Sequence, residues 1–167
     1  TTPSRSGELT IYGAGFSATR TNTVTIGSKT LHPAAIRQAS YGEINLTIPP
    51  GTPSGELTVT TPAGHSVTYD DPIYVISSIS LDWRGTDSAT RLYDLTVRAQ
   101  DVDGQPVPRA RLTLSTNTGQ GTIAPDKIVT TNSQGEAYAT LDLTGVTDAV
   151  DLILEAPPLA VILPIPS

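Results

Sequence analysis

The longest stretch of regular hydrophobic and polar alternation runs through residues 93–143. Tyr93, Leu95, Val97 and Ala99 share one parity and Asp94, Thr96, Arg98 and Gln100 the other, the pattern of a strand with one wet face. Asp101-Val102-Asp103-Gly104 then turns the chain. Pro106 and Pro108 lead into 109–115, where Leu112 and Leu114 point inward and Arg111 and Thr113 outward; prolines at such a place suit a sheet edge. After a second turn at Asn132-Ser133-Gln134-Gly135, Ala137, Ala139, Leu141 and Leu143 alternate with Glu136, Tyr138, Thr140 and Asp142. The stretch is expected to form one continuous β-meander.

The first half carries the same period of two in shorter pieces. Residues 7–11 give a short strand, followed by a glycine corner at Gly13 and Gly15 that Phe16, the only phenylalanine, is expected to close as a core plug. Val24 and Ile26, then Ile44, Leu46 and Ile48, then Leu57 and Val59, are the inward positions of three further strands. Turns at Pro49-Pro50-Gly51 and Pro62-Ala63-Gly64 separate them. Helical periodicity is absent. Residues 70–79 join the halves with apolar Ile73, Val75, Ile76 and Ile79 and no glycine-serine spacer, so one strand is expected to pass almost directly into the next.

Two family resemblances follow from these residues. In the first half, G-x-L-x-I-x-G-x-G-F (Gly7 to Phe16), N-x-V-x-I-G (Asn22 to Gly27), I-x-L-x-I-P-P-G (Ile44 to Gly51) and G-x-L-x-V-x-T-x-x-G (Gly55 to Gly64) resemble the IPT/TIG family of Ig-like domains. The family pattern opens with an apolar first strand, whereas Thr1-Thr2-Pro3-Ser4-Arg5-Ser6 offers none. In the second half, V-x-A-x-D-x-D-G-x-P-V (Val97 to Val107), the G-x-G at Gly119 and Gly121, and T-T-N-x-x-G-x-A (Thr130 to Ala137) resemble bacterial Ig-like domains of the invasin and intimin type. Such modules usually serve as stalk units of surface proteins, so the resemblance implies a structural role and transfers no catalytic residue.

Composition narrows the partners. The net charge of −6 and pI of about 4.7, with no basic run, argue against nucleic acid and anionic membrane. No stretch is apolar enough over a sufficient length for membrane insertion as a helix. The absence of cysteine leaves the cores to apolar burial and backbone pairing, and the absence of methionine is read as a processed or excised chain.

Candidate chemistry is thin. Asp101-x-Asp103-Gly104 imitates the start of a calcium loop, but no closing glutamate follows at the required spacing. Asp70 and Asp71 could hold calcium at the junction, although turn duty explains them as well. His32 and His65 have no neighbouring ligands or triad partners in sequence. Lys29 and Lys127, the only lysines, lie in turns and do not suit a buried isopeptide cross-link. Tyr12, Tyr41, Tyr69 and Trp83 could line a sugar platform, yet isolated aromatics on strands are more often core or rim residues. No catalytic set, metal site or cofactor is expected.

The tail is the most distinctive feature. After a strand at 150–155, residues 156–167 are too apolar for a free end. Leu159, Val161, Leu163 and Ile165 share one parity, with Ile162 between them, and Pro164 and Pro166 confine the segment to an edge. Joined to the head of the chain, the tail resembles the missing first strand of an IPT/TIG domain. Either the chain is an excised repeat, or its tail completes the next subunit.

The expectation is therefore an all-β chain of two tandem Ig-like β-sandwiches. An IPT/TIG-like module at 1–76 lacks its own first strand, an invasin-like module spans 77–156, and 157–167 is a donor-strand tail. Leu159, Val161, Ile162, Leu163 and Ile165 are the expected donor strand, and Leu9, Ile11 and Phe16 the acceptor groove of another copy. The expected role is a non-enzymatic extracellular subunit of a cell-surface filament, adhesin stalk or appendage, a virion appendage being a close variant. Its partners would be copies of itself, with other surface proteins or glycans besides. A carbohydrate-binding or spacer module of a secreted polysaccharide-degrading enzyme is the alternative.

Overall fold

The computed structural model describes residues 7–19, 21–87 and 90–167. Strands dominate, and the one helical element among the described residues is a single 3-10 turn, Pro33–Ala35. The chain divides into two compact units, 1–77 with 101–104 and 78–100 with 105–167.

The first unit is a sandwich of two antiparallel sheets. One has the order β1 (Glu8–Tyr12), β5 (Glu43–Thr47), β4 (Ile36–Ala39). The other runs β3 (Lys29–Thr30), β2 (Thr23–Ile26), β6 (Gly55–Thr60), β7 (Ser66–Ile73). Period-two alternation sends Leu9, Ile11, Val24, Ile26, Ile44, Leu46, Leu57 and Val59 into one core, the arrangement in which each sheet hides its apolar face against the other. Phe16 is buried in that core, as its place after the glycine corner predicts. Asn22 is also buried and explains its place in the motif. Its side-chain oxygen accepts from the Ser17 amide at 2.8 Å, and its amide group donates to the Ser17 carbonyl at 2.8 Å. One side chain thus closes the corner that carries Phe16. Gly27 and Gly55 pass so closely that a Cβ on Gly55 would stand 2.5 Å from the Gly27 Cα, which is why both motifs need glycine there. The vacant first strand was expected from residues 1–6, which lie outside the described residues.

The second unit is likewise two antiparallel sheets. One has the order β11 (Thr122–Ala124), β13 (Glu136–Asp142), β9 (Leu92–Gln100), β8 (Ser78–Asp87). The other runs β12 (Ile128–Thr130), β10 (Arg111–Thr116), β14 (Val150–Ala156), β15 (Leu159–Ile165). The predicted inward residues Leu95, Val97, Leu112, Leu114, Leu141 and Leu143 are all essentially inaccessible.

The expected meander is not what forms. From β9 the chain crosses to the other sheet as β10 and returns as β11, then crosses again through β12 and β13. Nor is β10 an edge strand, since β12 and β14 flank it. The reason lies in 105–110, where prolines interrupt pairing and Arg109 takes a positive φ of 59°, diverting the chain between layers. Thr131 of the T-T-N motif holds this crossover. Its buried hydroxyl donates to the Val107 carbonyl at 2.7 Å and accepts from the Ala110 amide at 2.8 Å. Gly135 of the same motif has φ +71°, and a Cβ there would stand 2.7 Å from the Ala99 carbonyl oxygen.

Candidate functional site

In the single chain the expected donor strand pairs within its own unit. Pro157 and Pro158 form a two-residue turn between β14 and β15, and the chain folds back on itself. Val150 pairs with Ile165, Leu152 with Leu163, Leu154 with Val161 and Ala156 with Leu159, in an unbroken antiparallel register. The parity assignment survives this change of neighbour. Ile165 is fully buried, Leu159, Val161 and Leu163 are half-buried, and Ile162 is exposed. The tail therefore fills an edge position of its own sandwich, where a two-residue loop closes a local hairpin. Prolines at 164 and 166 still mark it as an edge strand.

Arg91 fastens the end of this strand. One terminal nitrogen donates to the Val146 carbonyl and, at 3.2 Å, to that of Asp148, while the other donates to the Pro166 carbonyl at 2.7 Å. Guanidinium geometry suits this forked grip on several oxygens. Sequence reading missed Arg91, since a lone arginine in a turn gives no signal of carbonyl partners 55 to 75 residues away.

The expected acceptor residues do not share one cavity: Phe16 lines one of about 370 Å³ and Leu9 another of about 250 Å³. Leu9, Ile11 and Phe16 are buried among the strands of their own unit. Asp101 and Asp103 form a turn, in which the Asp103 amide donates to an Asp101 carboxylate oxygen at 2.9 Å. Asp70 and Asp71 lie on β7, and among the described residues no three His, Cys, Asp or Glu side chains gather as a metal site. His32 accepts from the Ala34 amide at the start of the 3-10 turn. The Lys29 ammonium donates to the Pro50 and Gly51 carbonyls, and Lys127 lies at an exposed turn. Trp83 meets Tyr93 edge-on, with ring centroids 5.1 Å apart. Tyr12 and Tyr41 are exposed, whereas Tyr69 packs against the first core and donates its hydroxyl to the Tyr12 carbonyl at 3.0 Å. Burial raises the Tyr69 pKa.

The outer face of β8, β9 and β13 holds a charged hydrogen-bond network. Arg98 donates to Asp82 at 2.5 Å and to Glu136 at 2.9 Å, and the Tyr138 hydroxyl donates to the other Glu136 oxygen at 2.5 Å. The Tyr138 and Arg98 hydrogen bonds hold the Glu136 carboxyl below the ordinary glutamate range. The same bond to Glu136 raises the Tyr138 pKa, and the carboxylates of Glu136 and Asp82 raise that of Arg98. A carboxylate that accepts two such bonds is stabilised in its charged form. Tyr138 was outside the sequence reading's set of candidate aromatics because strand parity marks it as outward-facing but not as part of a network.

The sequence model of the IPT/TIG domain matches residues 1–80. No curated protein matches the chain in sequence. Among solved structures, the D00-D0 domain of intimin is 15% identical with a TM-score of 0.40, the alignment covering 96% of this chain and 84% of that one. Domains 4 and 5 of the S-layer protein SbsC are 15% identical with a TM-score of 0.40, covering 91% and 72%. A β-glucuronidase of Parabacteroides merdae is 10% identical with a TM-score of 0.44; this chain is covered over 98% but spans only 22% of the enzyme. Over residues 1–80 the chain is similar to the IPT/TIG domain family, and a second β-sandwich follows.

Proposed function

We propose that this chain is a non-enzymatic spacer or stalk segment of an extracellular, surface-associated structural or adhesive protein. The observation that carries the reading is the strand-to-strand junction. β7 ends at Ile73 and β8 begins at Ser78, and the four residues between them are not a solvated linker. Val75 belongs to the first core, Ile76 is buried, and the Val75 amide donates to the Ser54 hydroxyl at 3.0 Å. A connection of only four residues, folded with the first unit, suits tandem spacer modules. The invasin-like run 97–137 supports the extracellular setting as a resemblance.

Head-to-tail joining by the tail would require the β14–β15 ladder to open first, a step that the spacer role does not need. Limited chymotrypsin digestion of the folded chain tests the spacer reading at Tyr74. Protection of the 74–77 segment is expected, and ready native-state cleavage there would overturn it. Sizing and electron microscopy test the assembly. The chain is expected to stay monomeric, and ordered fibres that vanish on removal of 157–167 would establish the tail as an intermolecular strand instead.

A further inference from the structure

The outer face of the β11-β13-β9-β8 sheet is hollowed into an open groove of about 620 Å³, within the size range of small-ligand sites. Register brings two cross-strand rows side by side on that face. One is Asp82, Thr96 and Tyr138, and the other Arg84, Asp94 and Thr140. Residues two apart on a strand are separated by roughly 7 Å, about the span of one pyranose ring.

Tyr138 forms an aromatic wall. It is 59% exposed, yet its hydroxyl is tied to Glu136, Glu136 to Arg98, and Arg98 to Asp82. The ring is therefore oriented before any ligand arrives, which reduces the entropy lost on binding. Trp83, Ala124 and Pro125 add further apolar lining, and the half-buried Thr96 and Thr140 contribute to the floor. Asp82 is bonded to Arg98, and Asp94 stands opposite Arg84 in the β8–β9 register.

We propose that this groove binds a neutral saccharide. Its chemistry matches the two kinds of surface on a pyranose. The apolar C–H face packs on the Tyr138 ring and Pro125, while ring hydroxyls donate to Asp94, accept from Arg84 and exchange hydrogen bonds with Thr96 and Thr140. An anionic ligand would meet two carboxylates, and a cationic one would meet Arg84 and Arg98. The groove stands apart from the spacer reading and does not rest on it.

The test is amide NMR titration of the whole 167-residue chain with cellohexaose, maltohexaose, laminarihexaose and chitohexaose in turn, and with hexagalacturonate as the charged counterpart. At least one neutral oligosaccharide is expected to shift amides at 94–96 and 138–140. Tyr138→Ala is expected to weaken that binding about tenfold or more, which corresponds to about 1.4 kcal/mol, and Tyr138→Phe to weaken it less. An unchanged thermal transition shows that the variants remain folded. The proposal is overturned if no neutral sugar shifts these amides at about 10 mM, a weak-binding ceiling. Equal binding by Tyr138→Ala, or tighter binding of hexagalacturonate, overturns it too.

Discussion

The two sandwiches share a class and differ in how they finish their outer surfaces. On the β3-β2-β6-β7 sheet of the first unit, outward rows hold neutral hydroxyl pairs: Thr25 with Thr30 at 3.2 Å, Thr58 with Thr68 at 2.8 Å, and Thr60 with Ser66 at 2.6 Å. On the second, the central outward rows carry Asp82, Arg98, Glu136 and Tyr138 in one bonded network. Their edges differ as well. The first unit exposes the eight-residue β7, which carries Asp70, Asp71 and Pro72 and has a register irregularity opposite Gly55–Leu57. The second ends on β15, a proline-bearing strand held by Arg91. Both are recognised ways of keeping an edge from pairing with another chain, and each edge strand reaches its own core at one end, β7 through Ile73 and β15 through Ile165. A sandwich with an outer face of hydroxyl pairs suits passive spacing, whereas one with a pinned aromatic and paired charges suits recognition.

The largest expected effect comes from removing that edge. Deleting 159–167 takes away four inward apolar side chains worth about 1.5 to 3 kcal/mol each when fully buried; with three of them half-exposed, the loss is roughly 4 to 8 kcal/mol. Calorimetry should show the second unit's transition lost or strongly lowered and the first unit's retained. Next is Gly135→Ala, which forces a side chain into the left-handed region and against the Ala99 carbonyl. A loss of roughly 2 to 4 kcal/mol is expected, measured by urea unfolding of the second unit. Arg91→Ala removes the grip on the end of β15 and is expected to cost about 1 to 3 kcal/mol. Hydrogen exchange at 159–165 should quicken while exchange in β10 stays slow.

The smallest effect is a pH dependence. Because the Glu136 pKa is depressed in the folded chain, its contribution is present above the unfolded glutamate value of about 4.3 and lost as pH falls through the lower folded value. The Tyr138 ring signals should therefore hold steady down to about pH 4.3 and move below it. Glu136→Gln should abolish that movement, and a titration midpoint above the ordinary glutamate value would contradict the network.

Period-two alternation by itself determined which side of each strand faces inward. Leu112, Leu114, Leu141, Ile44 and Val59 are buried where parity places them, and Leu159, Val161, Leu163 and Ile165 keep their inward sense. The motif residues were legible too, because Asn22, Gly55, Thr131 and Gly135 answer local needs of corner, close approach and turn. Which strands become neighbours was left to the tertiary structure. Alternation carries no label for the partner, so a tail with one apolar face fits a foreign sheet and its own β14 equally well on paper. The turn at Pro157-Pro158 and the grip of Arg91 decide for β14. The crossing of 105–110 between layers and the bonding of Tyr138 to Glu136 were decided in the same way, since both depend on groups brought together only when the sheets form.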